Sequence, residues 1–297
     1  MKDYNINHPE PVKAPRSRKK IAIIVAAVLL VAVILIGAFW YFFRSTAEAP
    51  APQETTPVVV EEEVTKEKPS VPELPNLQPT VDSWAATTGG TVSVKITDTN
   101  GKVLATYNAD KTYFTASIYK LYVAYVGYQK IDDGTYSLND PYLSGYTRGE
   151  CLDAMIRDSN SACGEKMWAE LGKSAITEKM KSYGLKNTSL TGLQTTSEDA
   201  AVILANIANG KDLKPASQKA YLDSMKIQDA LYRRGLPAGF KKLTVYNKVG
   251  WNLTQEWHDT AIVQTKNGQK LIVSVFTNGA GYKSITALGA KIEAELQ

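Results

Sequence analysis

Cysteine and histidine are scarce, with two of each in 297 residues; His8 lies near the N-terminus, which leaves His258 for the rest of the chain. A disulfide-rich scaffold, a four-cysteine zinc site and a histidine-rich metal cluster are therefore excluded, and no cofactor or metal is expected. Charge of one sign is not in large excess either. The 34 Lys and Arg against 30 Asp and Glu leave a net +4, too little to argue for a nucleic-acid surface. Full-length disorder is excluded because 44% of the residues are hydrophobic, enough for a sizeable core. The length allows one or two domains.

What charge there is lies unevenly. Residues 13–20 (KAPRSRKK) carry five basic groups and no acid, and Ile21 to Phe43 follows with no charge and no proline over 23 residues. A bilayer core needs about 20 apolar residues. The far end, Phe39 to Phe43, has the composition of an aromatic interface belt and is followed by Arg44. A cleaved signal peptide is the competing reading, with Ala47-Glu48-Ala49 as its cleavage site. Its apolar region is ordinarily about 7–15 residues, shorter than this one. The expectation is a single-pass anchor in the cell membrane, 21–43, with 1–20 a cytoplasmic basic tail and the rest extracytoplasmic.

Seven of the thirteen prolines (Pro50, Pro52, Pro57, Pro69, Pro72, Pro75, Pro79) and the run Glu61-Glu62-Glu63 fall in the next stretch. That composition predicts an extended, disordered Pro/Glu-rich stalk, 44–85, carrying a globular domain at 86–297. Within that domain Thr91 to Thr97 alternates with period two, and Asn100-Gly101 turns into Val103 to Tyr107, which predicts a hairpin. Helical spacing begins at Ser117 and ends before Asp133-Gly134. Another helix is predicted from Thr196, whose spacing to Asp199 matches a capping start, to Gly210. Strands return at 244–248, 260–265 and 270–277, followed by a helix from about Tyr282. Strands at both ends with helices between predict an α+β fold: an antiparallel sheet built by both ends of the domain, with an inserted helical lobe and a cleft between them.

The chemistry begins at Ser117-Ile-Tyr-Lys120. Serine and lysine three apart at a helix start lie on one face. Serine is a weak nucleophile that needs a nearby base, and a lysine whose charge is suppressed by burial can supply one. Chance matches to this spacing are frequent, and a surface serine beside a surface lysine is the bland alternative. Two further segments matter: Ser159-Asn160-Ser161 between Cys151 and Cys163, and Lys248-Val249-Gly250-Trp251 on a strand.

This ordered triplet resembles the class A β-lactamase-like serine hydrolases, a family of penicillin-interacting serine enzymes related to D,D-peptidases. The resemblance spans nearly the whole globular domain. It implies Ser117 as the acylated nucleophile and Lys120 as its activator. Ser159 would relay a proton to the leaving nitrogen with help from Lys248. The N–H groups of Ser117 and Trp251 would form the oxyanion hole, where one donor is worth about 2.7–4 kcal/mol. Asn160, Ser161, Gly250, Trp251 and His258 are the substrate-binding candidates, with His258 either meeting a substrate carboxylate or packed in the core. A Ser-His-Asp triad would have to use His258, and the lysine arrangement suits these residues better.

The chain departs from the pattern in three places. The family's middle motif is serine-aspartate-asparagine; ungapped alignment places Ser159 at the serine and Ser161 at the asparagine, whereas a one-residue slip places Asp158 and Asn160 there. Val249 replaces a hydroxyl residue and cannot hydrogen-bond a carboxylate. The glutamate loop with which class A enzymes activate the deacylating water is absent, with Gly184 to Thr188 in that stretch, while Glu198 reads as a first-turn residue of the Thr196 helix. A Cys151–Cys163 disulfide requires the helix to break at Ser159-Asn160, as it does in the family. On one unbroken helix twelve residues rise about 18 Å, too far for a bridge. The expected function is acyl-enzyme formation with β-lactams or D-alanyl peptidoglycan peptides, with slow turnover. The alternative is a non-catalytic cell-envelope binding module on the same fold.

Overall fold

A computed structural model of the chain describes residues 72–252 and 255–297, all within the unit from Lys68 to Gln297. The predicted tail and anchor, and the predicted stalk up to residue 71, lie outside the described residues. Among the described residues no helix is long and apolar enough to cross a membrane.

The domain starts earlier than residue 86, which corrects the predicted boundary. Gln78–Thr87 is a helix (α1) whose Val81 and Trp84 are buried along with Leu77 before it. The Trp84 indole donates to Ser284 O at 2.8 Å, and Leu77 N–H donates to Leu104 O at 2.9 Å. The proline count concealed this helix because Pro79 sits in its first turn, where a missing N–H costs nothing.

Strands β1 (Thr91–Asp98) and β2 (Val103–Tyr107) form the predicted hairpin, and β3 (Tyr113–Phe114) leads into α2 (Tyr119–Asp132). The helical lobe continues through β4 (Pro141–Leu143), β5 (Tyr146–Thr147), α3 (Arg148–Arg157), α4 (Ser161–Leu171) and α5 (Lys173–Ser182). After β6 (Gln194–Thr195) come α6 (Ser197–Asn209), α7 (Pro215–Lys226) and the short α8 (Leu236–Gly239). The chain then returns to the sheet through β7 (Thr244–Trp251), β8 (Glu256–Gln264) and β9 (Lys270–Asn278), and closes with α9 (Gly281–Glu295). The sheet order β2-β1-β9-β8-β7 is antiparallel throughout, so the two ends of the domain meet where β1 pairs with β9. The predicted α+β architecture is therefore observed.

Both faces of the sheet are covered. Val92, Val94 and Ile96 join Trp84, Ile285, Leu288 and Ile292 in one core. The alternate positions of β1 meet the helical lobe instead: Ser93 reaches Ser197, and Lys95 pairs with Glu198 at 2.9 Å. The polar half of the period-two pattern thus faces α6 rather than solvent. Helix α2 is buried on all sides from Tyr119 to Tyr128, which makes it the axis of the lobe. Helix α6 begins and ends as its sequence predicts. Asp199 N–H donates to Thr196 Oγ1 at 3.1 Å, and Gly210 closes the helix at φ +66°.

Candidate active site

The nucleophile candidate sits on a constrained turn. Strand β3 pairs with β6, and Thr115 N–H donates to Leu193 O at 2.8 Å. Ala116 then adopts φ +43°, a region costly for a residue with a side chain. Ala116–Ile118 is a 3-10 turn, so the regular helix begins at Tyr119 rather than at the predicted Ser117. Three residues per turn still leave Ser117 and Lys120 one above the other. Ser117 is half-buried and Lys120 fully buried.

Lys120 Nζ lies 3.1 Å from Ser117 Oγ, 2.6 Å from Ser159 O, 3.4 Å from Ser159 Oγ and 3.3 Å from Ser161 Oγ. An ammonium has three N–H groups for these four oxygens; a neutral amine has two, plus a lone pair that can accept the Ser117 O–H. Burial lowers the Lys120 pKa to about 8, against an opposing pull from the charge of Glu165. At neutral pH roughly a tenth of the lysine is then the free base. From strand β7 Lys248 Nζ donates to Ser159 Oγ at 2.9 Å and to Val249 O at 2.9 Å. Burial, then the like charge of Lys120, holds Lys248 well below the usual lysine range, with Asp259 pulling the other way.

Ser159 is placed by a break between α3 and α4, where it takes φ +52°. Asn160 N–H donates to Ala154 O at 3.1 Å, and Cys163 N–H donates to Asn160 Oδ1 at 3.0 Å. The break brings Cys151 and Cys163 together as a disulfide with Cα atoms 5.1 Å apart. It also decides between the two registers: Ser159 is the residue at the two lysines, and Ser161 stands next to Lys120. Asp158 instead pairs with Arg157 at 3.1 Å. Asn160, predicted to contact substrate, is half-buried, and its side-chain Oδ1 is engaged as the N-cap of α4.

On β7, Val249 is buried. Gly250 faces the nucleophile turn so closely that a Cβ there would lie 2.8 Å from Thr115 O and 3.0 Å from Ile118 N. Gly250→Ala should therefore push that turn away. Overpacking of this kind costs about 1–3 kcal/mol. A thermal melt should show that loss; an unchanged melting temperature would mean the turn yields without cost. Trp251 is stacked between Tyr232 and Trp257, with ring centroids at 5.4 and 5.0 Å.

His258 is shut away from solvent, which corrects its place among the substrate contacts. It is fully buried, stacked on Phe276 at 4.3 Å. Thr277 N–H donates to its Nδ1 at 3.3 Å, so Nε2 carries the proton and donates to Phe114 O at 2.8 Å. Burial lowers its pKa to about 4, leaving the ring neutral at pH 7. The neighbouring Asp259 is buried as well, in a setting assembled from three segments. Asn247 Nδ2 donates to it at 2.9 Å and Leu236 N–H at 2.7 Å, and burial still raises its pKa to about 7.

The stretch 184–188 is tied to Asp199, which accepts from Lys186 N–H at 3.1 Å, Asn187 N–H at 2.7 Å and Thr188 Oγ1 at 2.8 Å. It presents no carboxylate, and Glu198 is turned to Lys95. Among the described residues no three His, Cys, Asp or Glu side chains gather as a metal site.

The fold has well-defined counterparts. A PBP-A mutant solved as an acyl-enzyme complex with penicillin G superposes with a TM-score of 0.65 at 19% identity, covering 73% of this chain and 94% of that one. A beta lactamase from Xanthomonas campestris pv. campestris gives 0.67 at 18% identity, over 74% and 97% of the two chains. An ancestral class A beta-lactamase gives 0.66 at 20%, over 73% and 98%. No curated protein matches the chain. The model of the beta-lactamase enzyme family matches residues 76–296, from just before α1 to the last residue but one. With that match over most of its length, and the sheet and helical lobe to go with it, the chain belongs to the beta-lactamase enzyme family.

Proposed function

We propose that this protein is a membrane-anchored, extracytoplasmic serine hydrolase that forms an acyl-enzyme on Ser117 with β-lactams or D-alanyl peptidoglycan peptides and discharges it slowly. The single observation that carries this reading is the Ser117 Oγ to Lys120 Nζ distance of 3.1 Å, with the lysine buried and its pKa near 8. The free amine takes the Ser117 proton as Oγ bonds to the amide carbon. Backbone N–H groups of Ser117 and Trp251 hold the developing oxyanion. As the C–N bond breaks, Ser159 gives its proton to the nitrogen and is reprotonated from the lysine pair. Anchoring rests on the uncharged segment 21–43 behind five basic residues. Slow discharge rests on the absence of a carboxylate in 184–188, and Val249 favours a weak grip on a substrate carboxylate.

Membranes bearing the full chain are to be treated with a fluorescent penicillin and the adduct located by mass spectrometry. A stable adduct on Ser117 in the washed membrane fraction is expected. Label confined to the soluble fraction would remove the anchor, and folded protein that takes no label and makes no product would favour the envelope-binding module. Because the base must be unprotonated, acylation should rise about tenfold per pH unit below 8 and level off above it. A rate flat from pH 6 to 9 would exclude Lys120 as the base.

A further inference from the structure

Four residues stand side by side across the sheet. Lys95 on β1 is paired with Ser274 on β9, Ser274 with Thr260 on β8, and Thr260 with Lys248 on β7. Their side chains point to the helical lobe, as the Lys95–Glu198 pair and the Lys248–Ser159 hydrogen bond mark at the two ends. Ile272 and Ile262 flank the middle of the row on one side, and Phe276 stacked on His258 flanks it on the other. Within these surroundings Ser274 and Thr260 are fully buried, and among the described residues neither hydroxyl has a hydrogen-bond partner. An orphaned buried hydroxyl costs stability, and buried polar groups are nearly always satisfied by protein or by ordered water.

The lysine at the inner end has a donor to spare. An ammonium carries three N–H groups, and Ser159 Oγ and Val249 O account for two. The bond to Val249 O, the carbonyl of the next residue, keeps Nζ over β7. Residues directly opposed on neighbouring strands lie about 5 Å apart, a separation that one water bridges. The charged and titratable groups around Lys248 are Lys120 from α2, Asp158 paired with Arg157, His258 and Asp259 from β8, and Tyr232 and Arg233 before α8. None of them gives Nζ an acceptor at hydrogen-bond distance. At the outer end Lys95 and Glu198 line a groove of about 260 Å³ with Thr97 and Asn206, which brings solvent to the row.

We propose that Thr260 and Ser274 hold a buried water that accepts the third N–H of Lys248, so that this lysine keeps its proton when a bound substrate shuts out solvent on the Ser159 side. The water donates one O–H to Thr260 Oγ1 and the other to Ser274 Oγ, which gives it the three partners usual for a buried water. Thr260 and Ser274 are then positioning residues that act through Lys248. That the proton matters for Ser159 rests on the Ser117 reading above; the water itself does not.

The test is the titration of Lys248, followed by NMR at its Cε in the full chain, carrying isotope-labelled lysine and solubilised in detergent, with thermal melts alongside. In Thr260→Val combined with Ser274→Ala the ammonium loses an acceptor, so Lys248 should titrate about one pH unit lower than in the parent. The milder Ser274→Ala should move it the same way by less. A crystal structure of the parent should show a water within hydrogen-bond distance of both hydroxyls, and a dry contact there would overturn the proposal. Equal titration in parent and variants would overturn it too, and a double variant that also melts higher would mark the hydroxyls as dry. A parent whose Lys248 behaves as expected but which takes no penicillin on Ser117 would keep the water and overturn the Ser117 reading.

Discussion

Lys120→Ala is expected to slow acylation of Ser117 by about 10²- to 10⁴-fold, the range general-base catalysis contributes. The expectation follows from geometry: the amine is the base nearest the hydroxyl, and its burial keeps a usable fraction unprotonated at neutral pH. Loss of the amine also takes a hydrogen bond from Ser159 O, which it meets at 2.6 Å, so the variant loses both base and support for the relay serine. Lys120→Arg separates charge from basicity. A guanidinium keeps the cation but does not give up its proton in this pH range, so Lys120→Arg should be as slow as Lys120→Ala. The measurement is the second-order rate of labelling by a fluorescent penicillin, with the melting temperature as control for folding. A Lys120→Arg chain that labels at the parent rate would show that only the charge is needed.

The second large effect belongs to the disulfide. Cys151→Ser together with Cys163→Ser should lower stability by about 3 kcal/mol, the amount expected for closing a loop of this length. Denaturant unfolding of the oxidised parent and the double variant would measure it. The catalytic consequence is more specific than general loosening. The bridge fastens α3 to α4 across the very turn where Ser159 holds φ +52°, and Lys120 and Lys248 both reach that turn. The double variant should therefore acylate more slowly even at temperatures where it is fully folded. An unchanged labelling rate in folded protein would mean that the Asn160 cap alone holds the turn.

Much of this was readable from local pattern. The β1–β2 hairpin announced itself through period-two alternation and Asn100-Gly101, and α6 through Thr196, Asp199 and Gly210, because turns and caps are made by residues close in sequence. The start of the domain was not readable. Helix α1 is short, carries Pro79 in its first turn, and is stable only because Leu77, Val81 and Trp84 find partners on β2 and α9. His258 was misplaced for a related reason. Its residue type suits substrate contact, yet the Phe114 carbonyl claims it first.

The sequence by itself determined the order and spacing of Ser117, Lys120, Ser159 and Lys248, the membership of Cys151 and Cys163 in one short loop, and the alternation that builds the sheet. These are properties of neighbouring residues. Only the tertiary structure decided that both lysines are stripped of water and that Ser159 rather than Asp158 meets them. The physical reason is that desolvation and charge coupling depend on what packs around a group, and the groups that meet at Ser159 come from α2, the α3–α4 turn and β7, segments spread over more than a hundred residues of chain.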